Sequence, residues 1–189
     1  MLNNIKNNTL IINEQNDKKI YKKLKKIIKF CDENNYKIKI NNKNFKDVET
    51  AINKENLIDR YSFIYDNVCE YIDKKYMECN YCDFKDNVCV FFRNNPKIMH
   101  EDGCCYSDAR GGKCEYLTNH KCKIKSISCK LYSCEYLRKN KVNFKINSFL
   151  LIKYFFNLKQ KYYIKYSFFK PKDYVLYKLI ESEKGVKNE

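Results

Sequence analysis

Apolar positions recur with a helical period in two stretches of the N-terminal half. Ile20, Leu24, Ile27, Ile28 and Cys31 form one stripe with lysines on the other face, and Asp17 stands where an N-cap is needed. Asn34-Asn35 closes this helix, Tyr36 to Ile40 alternates as a short strand does, and Asn41-Asn42 supplies a turn. A second helical pattern begins near Asp47 or Asn56, carries Leu57, Tyr61, Ile64, Val68 and Ile72, and runs directly into Cys79. Cys31 falls on the first stripe and Cys69 beside the second, so both read as core thiols. The first sixteen residues are polar and rich in Asn and read as a loosely held terminus.

Periodicity returns after Cys134. Leu150, Leu151, Phe155 and Leu158 have helical spacing, and Pro171 opens a further element with Tyr174, Leu176, Tyr177 and Ile180 as its apolar face. Phe and Tyr alternate with Lys throughout residues 144–180. Three readings fit that texture: amphipathic helices covering the rest of the molecule, a nucleic-acid surface in which Lys meets phosphate and aromatic rings meet bases, and a basic helix lying on a membrane surface.

Between these halves the pattern fails. Residues 79–134 show turn chemistry instead, at Asn94-Asn95-Pro96, Asp102-Gly103 and Gly111-Gly112. This stretch holds nine of the eleven cysteines and both histidines, His100 and His120. A segment with so few apolar positions cannot offset its ordering entropy by burial. Bound metal can, because ligation free energy becomes folding free energy where no site exists in the unfolded chain.

Composition narrows the chemistry. No stretch resembles a signal sequence, and no apolar run approaches the roughly 18 residues of a membrane span. The chain therefore reads as cytoplasmic, where thiols stay reduced and clustered cysteines bind metal more often than they form disulfides. Lys, Asn, Ile and Tyr dominate in the manner of AT-rich coding, so the net charge of +15 is best weighed by region. Residues 1–78 carry +4, residues 79–139 carry +4 and residues 140–189 carry +7. Eight thiolates and two divalent ions would leave the middle region near neutral, and Lys121, Lys123, Lys125 and Lys130 would favour thiolate nearby.

Eight cysteines form the expected ligand set: Cys79, Cys82, Cys89, Cys105, Cys114, Cys122, Cys129 and Cys134. They suffice for two four-ligand sites, or for one site with spare thiols. Only Cys79-x-x-Cys82 has the close pairing typical of zinc sites, and thiolates equally hold iron–sulfur clusters, so the spacing indicates metal without naming it. Cys104 adjoins Cys105 and is poorly placed to share one small ion with it; His100 and His120 are further candidates. No Gly-rich phosphate loop, His-Glu-x-x-His or Ser-His-Asp arrangement stands out, so an enzymatic role is left open.

The run Gly103-Cys104-Cys105, Cys114-Glu115-Tyr116-Leu117, Cys122-Lys123-Ile124 and Cys129-Lys130-Leu131-Tyr132-Ser133-Cys134 resembles the YkgJ-type CxxCxxCC zinc- or iron-chelating family over about residues 103–137. His100, Glu101 and Asp102 stand where that family carries further cysteines, and Ser126-Ile127-Ser128 replaces its Arg-Pro step. The resemblance implies a chelating role for Cys105, Cys114, Cys122, Cys129 and Cys134.

The expectation is thus a mainly α protein, a helical domain with a central loop-rich, metal-stabilised cysteine module. Its regions are an N-terminal helical part (1–78), the cysteine-rich module (79–139) and a basic, aromatic helical part (140–189). The expected partner is a zinc ion or an iron–sulfur cluster in a structural or regulatory module, with no membrane span. The alternatives are an iron–sulfur redox protein or enzyme, and a zinc-stabilised protein that binds nucleic acid through its C-terminal region.

Overall fold

The computed structural model describes residues 5–83, 85, 90–94, 117–118, 121–122 and 125–184. It is mainly helical, with a small sheet at the N-terminal end. That sheet includes part of the stretch read as a loose terminus. Strands β1 (Ile5–Lys6) and β2 (Thr9–Ile12) form an antiparallel hairpin. Asn7 and Asn8 turn it with φ of 49° and 58°, the left-handed conformations that a two-residue hairpin requires and Asn tolerates. β2 is held because Leu10 and Ile12 are buried, at 1% and 2% exposure.

Helix α1 (Asp17–Asn34) then crosses over to β3 (Lys37–Ile40), which lies parallel to β2 with Leu10 opposite Ile38 and Ile12 opposite Ile40. The expected stripe of α1 is buried in full. Its N-cap is Asn16, whose side chain accepts from the Lys19 amide; Asp17 lies inside the helix and accepts from Asn42 and Asn44. Asn35 ends the helix in the left-handed conformation, as its sequence suggests.

The second pattern resolves into two helices, α2 (Lys46–Ile52) and α3 (Leu57–Cys79), with Asn56 capping the latter. Asn53 exchanges two 2.8 Å hydrogen bonds with the backbone of Ile38, and Glu49 accepts from the Ile40 amide at 2.7 Å. These side chains close the outer edge of β3, which would otherwise offer unpaired backbone groups. Arg60 donates to the carbonyls of Ala51 and Ile52 and pairs with Asp32 at 2.9 Å, joining α1, α2 and α3.

Short elements follow: α4 (Val90–Arg93), the antiparallel pair β4 (Leu117–Thr118) and β5 (Lys121–Cys122), α5 (Ile127–Lys130) and α6 (Glu135–Lys139). The C-terminal region forms α7 (Leu150–Phe155), α8 (Leu158–Tyr166) and α9 (Lys172–Lys184). One hydrophobic core runs from Leu10 to Leu179 and includes Ile127 of α5. Gln160, buried on α8, donates to the Tyr61 hydroxyl and to the Leu179 carbonyl, tying α8 to α3 and α9.

Two C-terminal expectations change. The pattern from Leu150 to Leu158 is broken at Phe156-Asn157, where a capping box between Asn157 and Gln160 starts α8 afresh and leaves Leu158 84% exposed. On α9 the buried residues are Val175, Leu176 and Leu179, whereas Tyr174 and Tyr177 face solvent at 41% and 61%.

The buried Cys31 thiol yields a pH prediction. Burial pushes its pKa up to about 11; the neighbouring Asp32 carboxylate adds to the rise and Arg60 opposes it. A pKa higher folded than unfolded means this contribution is complete below the ordinary value near 9.0 and is lost as pH climbs toward 11. Urea midpoints should therefore fall between these pH values, and Cys31→Ala should flatten that fall. An unchanged alkaline slope in the variant would assign it to other groups, such as Tyr61 and Tyr65, whose hydroxyls burial also pushes up.

Candidate functional site

α3 carries both ends of the cysteine segment. Its last residue is Cys79, after which Asn80 turns the chain in the left-handed conformation. The turn continues with the Asp83 amide donating to the Asn80 carbonyl at 2.8 Å, and the Cys82 carbonyl accepts from the Val90 amide at 3.0 Å. Arg93 of α4 clamps the Asp83 backbone carbonyl and pairs with the Asp83 carboxylate. Cys79-x-x-Cys82 is thus a built turn at a helix end. The neighbouring Cys79 side chain holds the Tyr81 hydroxyl above its ordinary pKa.

An aromatic chain fixes this turn. Tyr76 lies edge-on to Tyr81 at 5.7 Å, and both contact Phe144, at 5.7 and 6.3 Å respectively. Phe144 continues to Phe149 and from there to Tyr71. The entry to the cysteine segment is therefore packed on the chain that follows its exit. Offset and edge-on ring pairs of this kind contribute about 0.5–1.5 kcal/mol each beyond burial.

The exit is anchored higher on α3. The Ile127 amide donates to the Tyr65 hydroxyl oxygen at 3.1 Å, the Ser128 hydroxyl donates to the Ile164 carbonyl of α8, and the Cys69 sulfur bonds the Lys125 carbonyl at 2.9 Å. Ser126 caps α5 by accepting from the Cys129 amide. Lys130 is buried and pairs with Asp73, while Lys125 lies 3.5 Å from Asp66 and 3.8 Å from Glu70. Lys125 and Lys130, expected to favour thiolates nearby, instead serve the carboxylates of α3. A lysine's charge shows in sequence; the carboxylate it meets across a tertiary contact does not.

The described cysteines sort by place. Cys31 and Cys69 lie in the main core at 2% and 0% exposure, as expected. Cys79 is exposed, Cys82 and Cys129 are partly exposed, and Cys134 is buried but stands outside the main hydrophobic cluster. Cys69 and Cys129 both lie within electrostatic reach of the Tyr65 hydroxyl. Ten residues of helix separate Cys69 from Cys79, about 15 Å at 1.5 Å per residue. Sulfur ligands of one tetrahedral ion lie only about 4 Å apart. Among the described residues no three His, Cys, Asp or Glu side chains converge as a metal site would require.

Cys122 has its backbone on β5, opposite Leu117. Cys89, Cys104, Cys105, Cys114, His100 and His120 lie outside the described residues. Beside Cys134, the Ser133 hydroxyl is buried without a hydrogen-bond partner among the described residues, an arrangement that suits a polar or charged group close by. The Arg93–Asp83 clamp and the Lys130–Asp73 pair are missed by sequence reasoning. Only the clamp had a signal, in an arginine close after the Cys-x-x-Cys of a chain that is otherwise rich in lysine. No family model, curated protein or solved structure matches the chain.

Proposed function

We propose that this chain is a metal-binding protein whose cysteines between residues 79 and 134 hold zinc or an iron–sulfur cluster. The observation that carries this reading is the partition of the described thiols: Cys31 and Cys69 serve the core, while Cys79, Cys82, Cys129 and Cys134 stand outside the main hydrophobic cluster. The resemblance to the YkgJ-type chelating family, proposed on the residues from Gly103 to Leu137, supports five of the proposed ligands: Cys105, Cys114, Cys122, Cys129 and Cys134. The distance along α3 favours two sites over one. Cys79 and Cys82 would supply one, and Cys129 would belong to the other; Cys89, Cys105, Cys114, Cys122 and Cys134 would complete them. Bound zinc would supply a structural cross-link, and a cluster would supply redox capacity. The residues of the chain hold the ligand-bearing turns in place: Arg93 through Asp83, Tyr81 through Tyr76 and Phe144, and Ile127 through Tyr65.

Metal analysis of anaerobically purified protein tests this directly. Cys114→Ser and Cys129→Ser should each lower the metal content, and Cys31→Ser should leave it intact. Equal loss in all three would mean the ligand set is misassigned. Colourless protein containing zinc supports a structural or regulatory module in the cytoplasm; brown protein whose visible absorbance bleaches in air supports the iron–sulfur alternative.

A second partner, nucleic acid, is favoured by a separate observation. Residues 140–172 carry eight lysines and no Asp or Glu, and the helices they build present tyrosine rings to solvent. Charge of one sign with exposed aromatic surface suits a polyanion whose bases can stack.

A further inference from the structure

α8 directs Gln160 and Ile164 into the core and packs Tyr163 partly against it, which leaves an outer face exposed. Leu158, Tyr162 and Tyr166 fall four residues apart on its outer face, at 84%, 67% and 51% exposure. The two tyrosine rings touch, with centroids 4.5 Å apart, and the Lys165 ammonium sits 5.1 Å from the Tyr166 ring centre. One residue before Tyr162 stands Lys161. Its ammonium donates to the Lys153 carbonyl at 2.8 Å; burial first, and then the like charges of Lys25 on α1 and of Lys153, lower its pKa. Like charges gathered this way repel, and an anion shared among them relieves the repulsion. Across the junction to α9, the Tyr174 ring carries Lys170 at 5.3 Å; one turn on, Tyr177 carries Lys178 at 5.4 Å.

We propose that this face binds single-stranded nucleic acid, with bases stacking on Tyr162 and Tyr166 and phosphates meeting Lys25, Lys153, Lys161 and Lys165. It rests on the nucleic-acid reading above and makes it specific. A duplex keeps its base faces stacked on one another and can offer these rings only its edges and backbone, whereas a single strand can splay its bases onto them. A membrane-surface helix would need a broad apolar face; α8 exposes one leucine and two tyrosines, and its aliphatic residue Ile164 is committed to the core. Recognition through stacking and phosphate contact is tolerant of sequence, because every base has a π-face.

The full-length, metal-loaded protein should be titrated with fluorescently labelled 15-mer oligo-dT and oligo-U and with a 15-base-pair duplex, following anisotropy at several salt concentrations. Both single strands should bind more tightly than the duplex. Tyr162→Ala with Tyr166→Ala should weaken single-strand binding by about tenfold or more, while Tyr162→Phe with Tyr166→Phe, which keeps the rings, should retain it. Lys161→Gln should reduce the salt slope by about one ion. Equal affinity for duplex and single strand, unmoved by the tyrosine changes, would overturn the stacking inference and leave the broader nucleic-acid reading standing. Absence of binding to every oligonucleotide would remove both, and preference for phosphatidylserine vesicles would assign the face to membrane instead.

Discussion

Stripping the metal from the purified protein is expected to unfold most of residues 79–134 while the helical core stays folded. The proposed sites lie in a segment with few apolar positions, where ligation would supply what burial cannot. A structural zinc site contributes about 10–16 kcal/mol of apparent binding free energy at neutral pH, and that stabilisation is lost on chelation. α1, α3 and the three-stranded sheet draw on a different source, the cluster from Leu10 to Leu179. Hydrogen exchange before and after chelation should show protection vanishing across most of the cysteine segment. Residues 125–131 should keep theirs, because Ile127 is buried at 1% exposure and its amide bonds Tyr65. Acid should mimic the chelator, since thiolate ligands are protonated as pH falls. An exchange pattern identical with and without metal would defeat the proposal that the ion folds this segment.

The second large effect concerns Asp73. Its carboxylate pairs with Lys130, whose side chain is only 6% exposed. Asp73→Ala strands a buried ammonium, and breaking a fully buried pair costs about 3–5 kcal/mol. Asp73 itself is 38% exposed, so water tempers the loss, and a decrease of about 2–3 kcal/mol is expected from urea unfolding. Adding Lys130→Met, which removes the stranded charge and keeps the aliphatic stem, should recover most of that decrease. A single variant within about 0.5 kcal/mol of the parent would show that the pair does not anchor α5.

The two predictions probe opposite ends of what the chain makes legible. The buried stripe of α1 and its Asn35 end could be read directly, because a long stripe repeats one local rule many times. Its N-cap lies one residue earlier than Asp17, at Asn16. Tyr61, Ile64, Val68 and Ile72 are buried as their spacing implies, and α9 begins directly after Pro171. The candidate ligands were legible for a different reason: cysteine clustering is a compositional fact that needs no fold. Leu10 and Ile12 gave too short a signal to reveal a strand, since their burial depends on Ile38 and Ile40 arriving alongside after an eighteen-residue helix.

By itself the sequence determined the buried stripes of α1 and α3, the core thiols Cys31 and Cys69, and the concentration of the other nine cysteines between residues 79 and 134. Tertiary structure alone decided that Lys130 is buried against Asp73, that Tyr162, Tyr166 and Tyr177 face outward, and that Cys79 and Cys129 are held at different levels of α3. The physical reason is range. Periodicity and capping are written within a few residues of one another, whereas the partner of a charge, the buried choice between two aromatic faces and the level at which a thiol is held depend on groups brought together only when the chain has packed.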